Sequence, residues 1–266
     1  MGFSQAKIRA RAQRYRAAQL QEKRKARTVS TKGLEIYVAD IDDVKALRLG
    51  TAMAVITDPP YKHQYLPLWG SLIKFGDRVL CEHGWLVAMS GQRWLPDVAT
   101  VVKEATKGTS MRYCWTLTVH TPGAESAQGW IGRGNSLNIE WKPILVYSKG
   151  EPADWPSGFR DYIESSGNDK THHKWGQNLG VFQQLVDVFS EPGSLVCDPF
   201  LGGGTTAVAA RPTRPFEGFD IDSQAVTKAV ERLDSEMGQR VEENIDHFSL
   251  TPGSVSGPVA HSLVRS

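Results

Sequence analysis

Between Leu195 and Thr206 the chain passes without a break from the apolar triplet Leu195-Val196-Cys197, through Asp198-Pro199-Phe200-Leu201, into three consecutive glycines and two threonines. A short apolar run bounded by turn residues reads as a buried strand. Gly202, Gly203 and Gly204 let the backbone come close to a ligand, and the residues after them start a helix whose first amides can point at it. Strand, glycine turn and helix in direct succession make this an α/β unit with a small-molecule pocket. The next strand, Phe216 to Phe219, ends in Asp220, twenty-two residues after Asp198. A carboxylate there can meet the ribose hydroxyls of a nucleotide-like molecule. The glycine turn alone is a weak signal, because ordinary turns use the same residues; turn and carboxylate together are more specific. This is not a Walker loop, since Gly204 is followed by Thr205 and no lysine stands there to meet a phosphate.

A second strand-to-turn junction lies about 140 residues earlier. Met53 to Thr57 is a continuous apolar run, the mark of a strand covered on both faces, and it leads directly into Asp58-Pro59-Pro60-Tyr61. Pro59 and Pro60 fix φ, so an acidic side chain, free carbonyls and an aromatic ring are held in one rigid arrangement. An exposed turn that merely ended a strand rarely needs all four.

Elsewhere Leu34 to Val38 reads as a strand ending at Ala39-Asp40. Residues 65–79 and 92–107 read as helices, with a strand from Gly84 to Met89 between them. Met111 to Val119 and Lys142 to Tyr147 read as strands, Gly176 to Ser190 and Ala225 to Leu233 as helices. This alternation predicts an α/β fold: an open, mostly parallel sheet with helices on both faces, whose ligands bind beyond the carboxyl ends of the strands. His120 to Asn138 is Gly-, Ser- and Ala-rich and reads as a loop over the site, and residues 149–175 look least like sheet core. The expected organisation is a basic helical tail at 1–30, one domain at 31–236, and a Ser-, Gly- and Pro-rich tail at 237–266 without regular structure.

Charge matters for the first segment. The whole chain carries 31 basic and 29 acidic residues, a net +2. The first 28 residues hold nine basic side chains against Glu22 alone, so a +8 tail is joined to a −6 body. Such a tail can neutralise phosphates and give salt-sensitive, sequence-blind affinity for DNA; a solvated helix that aids solubility is an equal reading of the same charges. The longest apolar runs fall far short of the roughly 20 residues of a membrane span. The basic N-terminus lacks the apolar stretch of a secretory signal, and a cytoplasmic location is expected. Cys81, Cys114 and Cys197 are odd in number and widely separated, which disfavours disulfides and zinc, and none lies in a Pro-Cys context suited to covalent attack. His172 and His173 have no partners at ligand spacing, so no metal is expected.

The two motifs together resemble those of the bacterial and phage DNA adenine-N6 and cytosine-N4 methyltransferases. That family's catalytic motif is Asp/Asn/Ser-Pro-Pro-Tyr/Phe/Trp and its cofactor motif Asp-Pro-Phe-x-Gly-x-Gly-Thr-Thr. The catalytic motif comes first here, which resembles the permuted beta order; related RNA and protein enzymes usually show the reverse. The resemblance spans roughly residues 34–236, with weaker echoes at Ala39-Asp40, from Ile139-Glu140 to Lys149-Gly150, and at Ala229-Val230-Glu231-Arg232-Leu233. One departure is the stretch His173-Lys174-Trp175-Gly176-Gln177, where members often carry Lys-Pro.

The resemblance implies a Rossmann-like S-adenosylmethionine-dependent fold and a catalytic site of Asp58, Pro59, Pro60 and Tyr61. Asp58 and the Pro59 carbonyl are to accept hydrogen bonds from the target amino group, and Tyr61 is to stack on the extruded base. Asp198, Phe200, Gly202, Gly204, Thr205 and Thr206 are to surround the methionine and ribose of S-adenosylmethionine. Asp220 is to meet the ribose hydroxyls and Asp40 the adenine. The implied partner is double-stranded DNA with a flipped target base, as in restriction-modification systems, and a homodimer is compatible with the sequence. Residues 150–175, aided by the 120–138 loop, are the expected target-recognition region. Asp at the first motif position resembles the adenine-N6 enzymes. The alternatives are cytosine N4, where Ser is usual, and a catalytically silent DNA-binding protein that retains the fold.

Overall fold

A computed structural model describes residues 29–31, 33–43, 48–122, 128–130, 136–152, 158–165 and 178–248. In chain order its strands are β1 (Val29–Thr31), β2 (Leu34–Val38), β3 (Ala52–Thr57), β4 (Leu80–Met89), β5 (Met111–His120), β6 (Gln128–Trp130), β7 (Ser136–Asn138), β8 (Trp141–Lys149), β9 (Tyr162–Glu164), β10 (Leu195–Asp198) and β11 (Phe216–Asp220). Nine of them form the central sheet, in the order β1-β2-β11-β10-β3-β4-β8-β5-β9. β6 and β7 pair with each other as a separate antiparallel ribbon. β2, β11, β10, β3 and β4 are mutually parallel, and β8 is antiparallel to both its neighbours.

Among the described residues the α-helices are α1 (Pro67–Val79), α2 (Leu95–Ala105), α3 (Leu179–Phe189), α4 (Thr205–Ala210) and α5 (Ser223–Phe248). Strand alternation sorts side chains onto the two faces of the sheet. Ala54 and Ile56 of β3 and Val87 and Met89 of β4 meet Phe182, Leu185 and Phe189 of α3, Val208 of α4 and Ala229 of α5. Val55 and Leu86 turn the other way, towards Trp69, Leu72 and Phe75 of α1 and Val98 and Val102 of α2. Helices cover both faces, which is why the central strands read as continuous apolar runs rather than alternating ones. Three apolar residues of β3, Val55, Ile56 and Ala54, are all 0% exposed.

Several boundaries differ from the expectation. β4 begins at Leu80, not Gly84, because its register on β3 jumps from the Ala52↔Leu80 pair to the Ala54↔Trp85 pair, looping Cys81 to Gly84 out of the regular ladder. Gly84 is needed there: a Cβ would lie 3.0 Å from the Cys81 carbonyl and 3.1 Å from that of Ala52. The sheet starts at Val29, since β1 folds back on β2 as a short hairpin through Gly33, which has φ 82°. Within the segment that looked least like sheet, Tyr162–Glu164 forms an edge strand on β5, three residues of exposed-buried-exposed pattern that are too short to stand out. The β6–β7 ribbon likewise occupies part of the expected loop.

The expected irregular C-terminal tail at 237–266 is corrected in part: α5 continues to Phe248. Residues 234–248 are rich in Glu and Asp without proline, and the Ser-, Gly- and Pro-rich composition starts only beyond them. From Asp234 the chain forms a second compact unit, helical in its described part. The expected N-terminal helix, and most of the expected recognition region with His172 and His173, lie outside the described residues.

Candidate active site

β10 and β3 are neighbours although 141 residues separate the side chains that join them. β10 continues through α4 to β11 on one side, and β3 through α1 to β4 on the other. The carboxyl ends of the two strands therefore open a crevice at the point where the strand order reverses, the ligand-binding position of open α/β sheets. The Thr57 hydroxyl donates to Asp198 Oδ1 at 2.6 Å across that junction. The Phe200 amide donates to the same oxygen at 3.0 Å, and the Thr206 hydroxyl to Oδ2 at 2.6 Å. Burial raises the Asp198 pKa to about 6, against the Thr206, Thr57 and Phe200 hydrogen bonds that lower it. At 2% exposure, the carboxylate acts as a brace. It ties the strand leading into Asp58 to the helix leaving the glycine turn.

That turn is shaped by what lies behind it. Gly204 has φ 76°, and a Cβ there would sit 3.0 Å from the Ala229 Cβ, so the turn rests directly on α5. The buried Arg232 of α5 donates to the Gly203 carbonyl at 3.3 Å and to the Thr205 hydroxyl at 3.1 Å. On the open side, the Gly202 amide donates to Asp220 Oδ2 at 2.9 Å and the Asp222 amide to Oδ1 at 2.9 Å. The Ala39 amide donates to the Asp220 carbonyl at 3.0 Å, bringing Asp40 to the same end of the sheet. Asp40 Oδ1 accepts from the Asp42 amide at 3.1 Å.

The residues expected around the cofactor thus fall into two groups. Asp40, Phe200, Gly202 and Asp220 keep part of their surface open at the strand ends. Asp198, Gly204, Thr205 and Thr206 are buried, and both threonine hydroxyls are engaged by the brace and by Arg232.

Beyond β3, Pro59 is buried, Pro60 exposed, and Asp58 and Tyr61 half-buried. The Tyr61 phenol donates to Asp58 Oδ1. Burial, then the Asp58 charge, pushes that phenol well above its ordinary pKa, so it stays a neutral donor. The backbone after β4 lies against the ring, where a Cβ on Gly91 would be 3.0 Å from the Tyr61 Cβ. Lys142 Nζ, from β8, stands 5.5 Å from the ring centroid, within range of a cation–π contact. Pro60, Tyr61, Lys62, Trp69, Gly91 and Trp94 line a shallow cleft beside the motif.

Sequence reasoning passed over Thr57, Gly91, Lys142 and Arg232. Thr57 carries a local signal, as the one hydroxyl closing an otherwise apolar run, and Arg232 belongs to the weak family echo at 229–233. Burial pushes the Cys197 thiol well above its ordinary pKa, so it offers no thiolate. Among the described residues no three His, Cys, Asp or Glu side chains converge on a metal position.

The sheet, its switch point and the paired motifs define an α/β enzyme fold of the methyltransferase kind. A family model described as DNA methylase, of N6 and N4 type, matches residues 53–231. The chain belongs to that family. Among curated proteins it is 21% identical to the type II methyltransferase M.HpaI of Haemophilus parainfluenzae over 257 residues, covering 82% of this chain and 79% of that one. Matches to further curated methylases span less than half of those proteins. Among solved structures, a putative DNA modification methylase from Thermus thermophilus, complexed with S-adenosyl-L-methionine, aligns with TM-score 0.60 at 20% identity, covering 76% of this chain and 93% of that one. The cytosine-N4-specific PvuII DNA methyltransferase aligns with TM-score 0.61 at 17% identity, covering 76% and 86%.

Proposed function

We propose that this protein transfers a methyl group from S-adenosylmethionine to the N6 amino group of adenine in double-stranded DNA, at a base turned out of the helix. The observation that carries the reading is the Thr57–Asp198 hydrogen bond. It fixes the Asp58-Pro59-Pro60-Tyr61 loop and the glycine turn against each other, so an amino group held by one can meet a methyl donor held by the other.

The residues present fit that donor. Gly202 exposes backbone at the turn, and Asp220 and Asp40 offer carboxylate oxygens at adjoining strand ends, suited to ribose hydroxyls and an adenine amino group. S-adenosylmethionine supplies an electrophilic methyl on a sulfonium. Asp58 and the Pro59 carbonyl accept hydrogen bonds from the target amino group and favour a pyramidal nitrogen, freeing the lone pair that ring conjugation otherwise withholds. Asp58 need not be a strong base, because the alkylated nitrogen is acidic and sheds its proton readily. Tyr61 stacks on the base and helps to offset the few kcal/mol of extrusion. Its phenol, bonded to Asp58, holds that carboxylate in place.

The adenine preference rests on Asp at position 58. Cytosine N4 is the second reading, favoured by the likeness to the PvuII enzyme, whose name states that specificity. Labelled S-adenosylmethionine and DNA, followed by digestion and mass spectrometry of the nucleosides, separates the two: N6-methyladenine is expected, and N4-methylcytosine reverses the choice. No label in any DNA leaves a silent DNA-binding protein. Asp58→Ala is expected to abolish transfer with cofactor binding intact, and retained turnover removes Asp58 from the mechanism.

A further inference from the structure

Beside the catalytic loop lies a group of side chains that the transfer chemistry does not use. Two residues after Tyr61 the chain makes a short 3-10 turn, His63–Tyr65, whose first ring packs edge-on against Trp94, with centroids 4.7 Å apart and planes at 64°. The Arg93 guanidinium carbon is 5.2 Å from the Trp94 ring centroid. Trp94 is half-buried, while His63, Arg93 and Lys62 are exposed. Trp94 and Tyr61 line the same cleft.

The segment that carries Trp94 is anchored by hydrogen bonds to backbone carbonyls. The Trp94 carbonyl accepts from Val98 at 2.9 Å as α2 begins, Ser90 N–H donates to the Pro143 carbonyl at 2.9 Å, and Gln92 Nε2 donates to the Trp141 carbonyl at 3.1 Å. A half-buried Trp94 on anchored backbone has less freedom to lose when a flat ligand docks than a fully exposed ring would. Charge selects the ligand. The chain beyond residue 28 is net −6, yet Lys62, Arg93 and Lys142 gather around this cleft, with Asp58 in the site and Asp97 in the first turn of α2 as opposing carboxylates. Aromatic faces flanked by cations suit a nucleotide, whose base stacks and whose phosphate is neutralised.

We propose that His63, Trp94 and Arg93 form a second nucleotide platform, which takes the base next to the target along the same DNA strand while Arg93 and Lys62 meet its phosphate. The proposal rests on the reading of the protein as a DNA methyltransferase. It adds a contact to the flanking nucleotide outside the expected 150–175 recognition region. Trp94 and His63 are positioning residues in this scheme, acting on the strand rather than on the reacting atoms.

The test is methyl transfer to unmethylated genomic DNA fragments by the full chain and its variants. Trp94→Ala is expected to raise the KM for DNA about 10- to 100-fold, the worth of one base stack, and to leave the affinity for S-adenosylmethionine unchanged. Trp94→Phe is expected to restore most of the loss and Trp94→Leu to restore none, because leucine is apolar but offers no flat face for a base to stack on. Arg93→Ala, at an exposed position, is expected to lower the salt slope of DNA binding by about one, and remains readable if the Trp94 variants fold poorly. Equal DNA KM for Trp94→Leu and wild type, or an unchanged salt slope for Arg93→Ala, overturns the platform. Failure of the wild-type protein to methylate any DNA overturns the parent reading instead, and the platform with it.

Discussion

Thr57→Val removes one hydroxyl and keeps the shape of the side chain, so it isolates the hydrogen bond between the two motifs. In the wild type that hydroxyl donates to a buried carboxylate oxygen at 2.6 Å. A hydrogen bond to a charged group contributes about 1.5–3 kcal/mol, and one to a neutral group about 0.5–1.5 kcal/mol. The Asp198 pKa stands at about 6, raised chiefly by burial, so the carboxylate is ionised at pH 8 and mostly protonated at pH 5. The loss on mutation is therefore expected to be about 1.5–3 kcal/mol at pH 8 and about 0.5–1.5 kcal/mol at pH 5. At 2–4 °C per kcal/mol for a domain of this size, the Tm falls by roughly 3–12 °C at pH 8 and by roughly half that or less at pH 5. The sign agrees with linkage: losing the Thr57 bond raises the carboxyl pKa further, so the variant takes up its proton sooner on acidification and recovers part of the deficit. Calorimetry of both proteins at the two pH values reads this directly. An equal Tm deficit at pH 5 and pH 8, or none at either, would refute the charged brace. Because Asp58 follows Thr57 directly, kcat is also expected to fall by more than the affinity for S-adenosylmethionine.

Asp198→Asn tests the same carboxyl by removing its charge. A group with a raised folded pKa destabilises the fold when ionised, so the wild type gains stability as pH falls from about 6 towards the unfolded value near 4, by up to about 3 kcal/mol from this group. That gain is expected to vanish in Asp198→Asn, and a stability–pH curve parallel to wild type between pH 4 and 6 contradicts it. Gly204→Ala places a Cβ 3.0 Å from the Ala229 Cβ at φ 76°; strain of about 1–3 kcal/mol and loss of cofactor binding are expected by thermal melts and calorimetric titration. Deleting residues 1–28 removes a net +8 and is expected to flatten the salt dependence of DNA binding, while an unchanged slope leaves the tail without that role.

The parts of the fold that can be read from sequence are those whose signal is local. β3 and β10 announce themselves because both faces are covered and the residues are continuously apolar, and α1 begins where Pro67 can occupy a first helical turn. The three-residue strands β1 and β9 escape because pairing, not composition, makes them strands. Likewise β4 gains its first residues from contact with Ala52 rather than from any pattern in Cys81 to Gly84. In the site, both motifs are visible, but the hydrogen bonds that Asp198, expected beside the cofactor, accepts from Thr57, Thr206 and Phe200 are not. No sequence rule links residues 141 positions apart. Trp94, which lies between a turn and a helix, becomes notable only when its ring is seen against His63.

The strand order also bears on how the protein comes into being. β10 is inserted between β3 and β11, and β11 joins β10 to β2. During synthesis β2 and β3 emerge early, but nothing bridges them until residues near 220 have left the ribosome. Until β10 emerges, β3 presents an unpaired parallel edge and the Asp58–Tyr61 loop has no glycine turn facing it; from then until β11 emerges, β10 presents that open edge. Closure is a late, long-range event of the slow kind, and a chain cut short before β11 is expected to expose a sticky strand rather than a partly active enzyme.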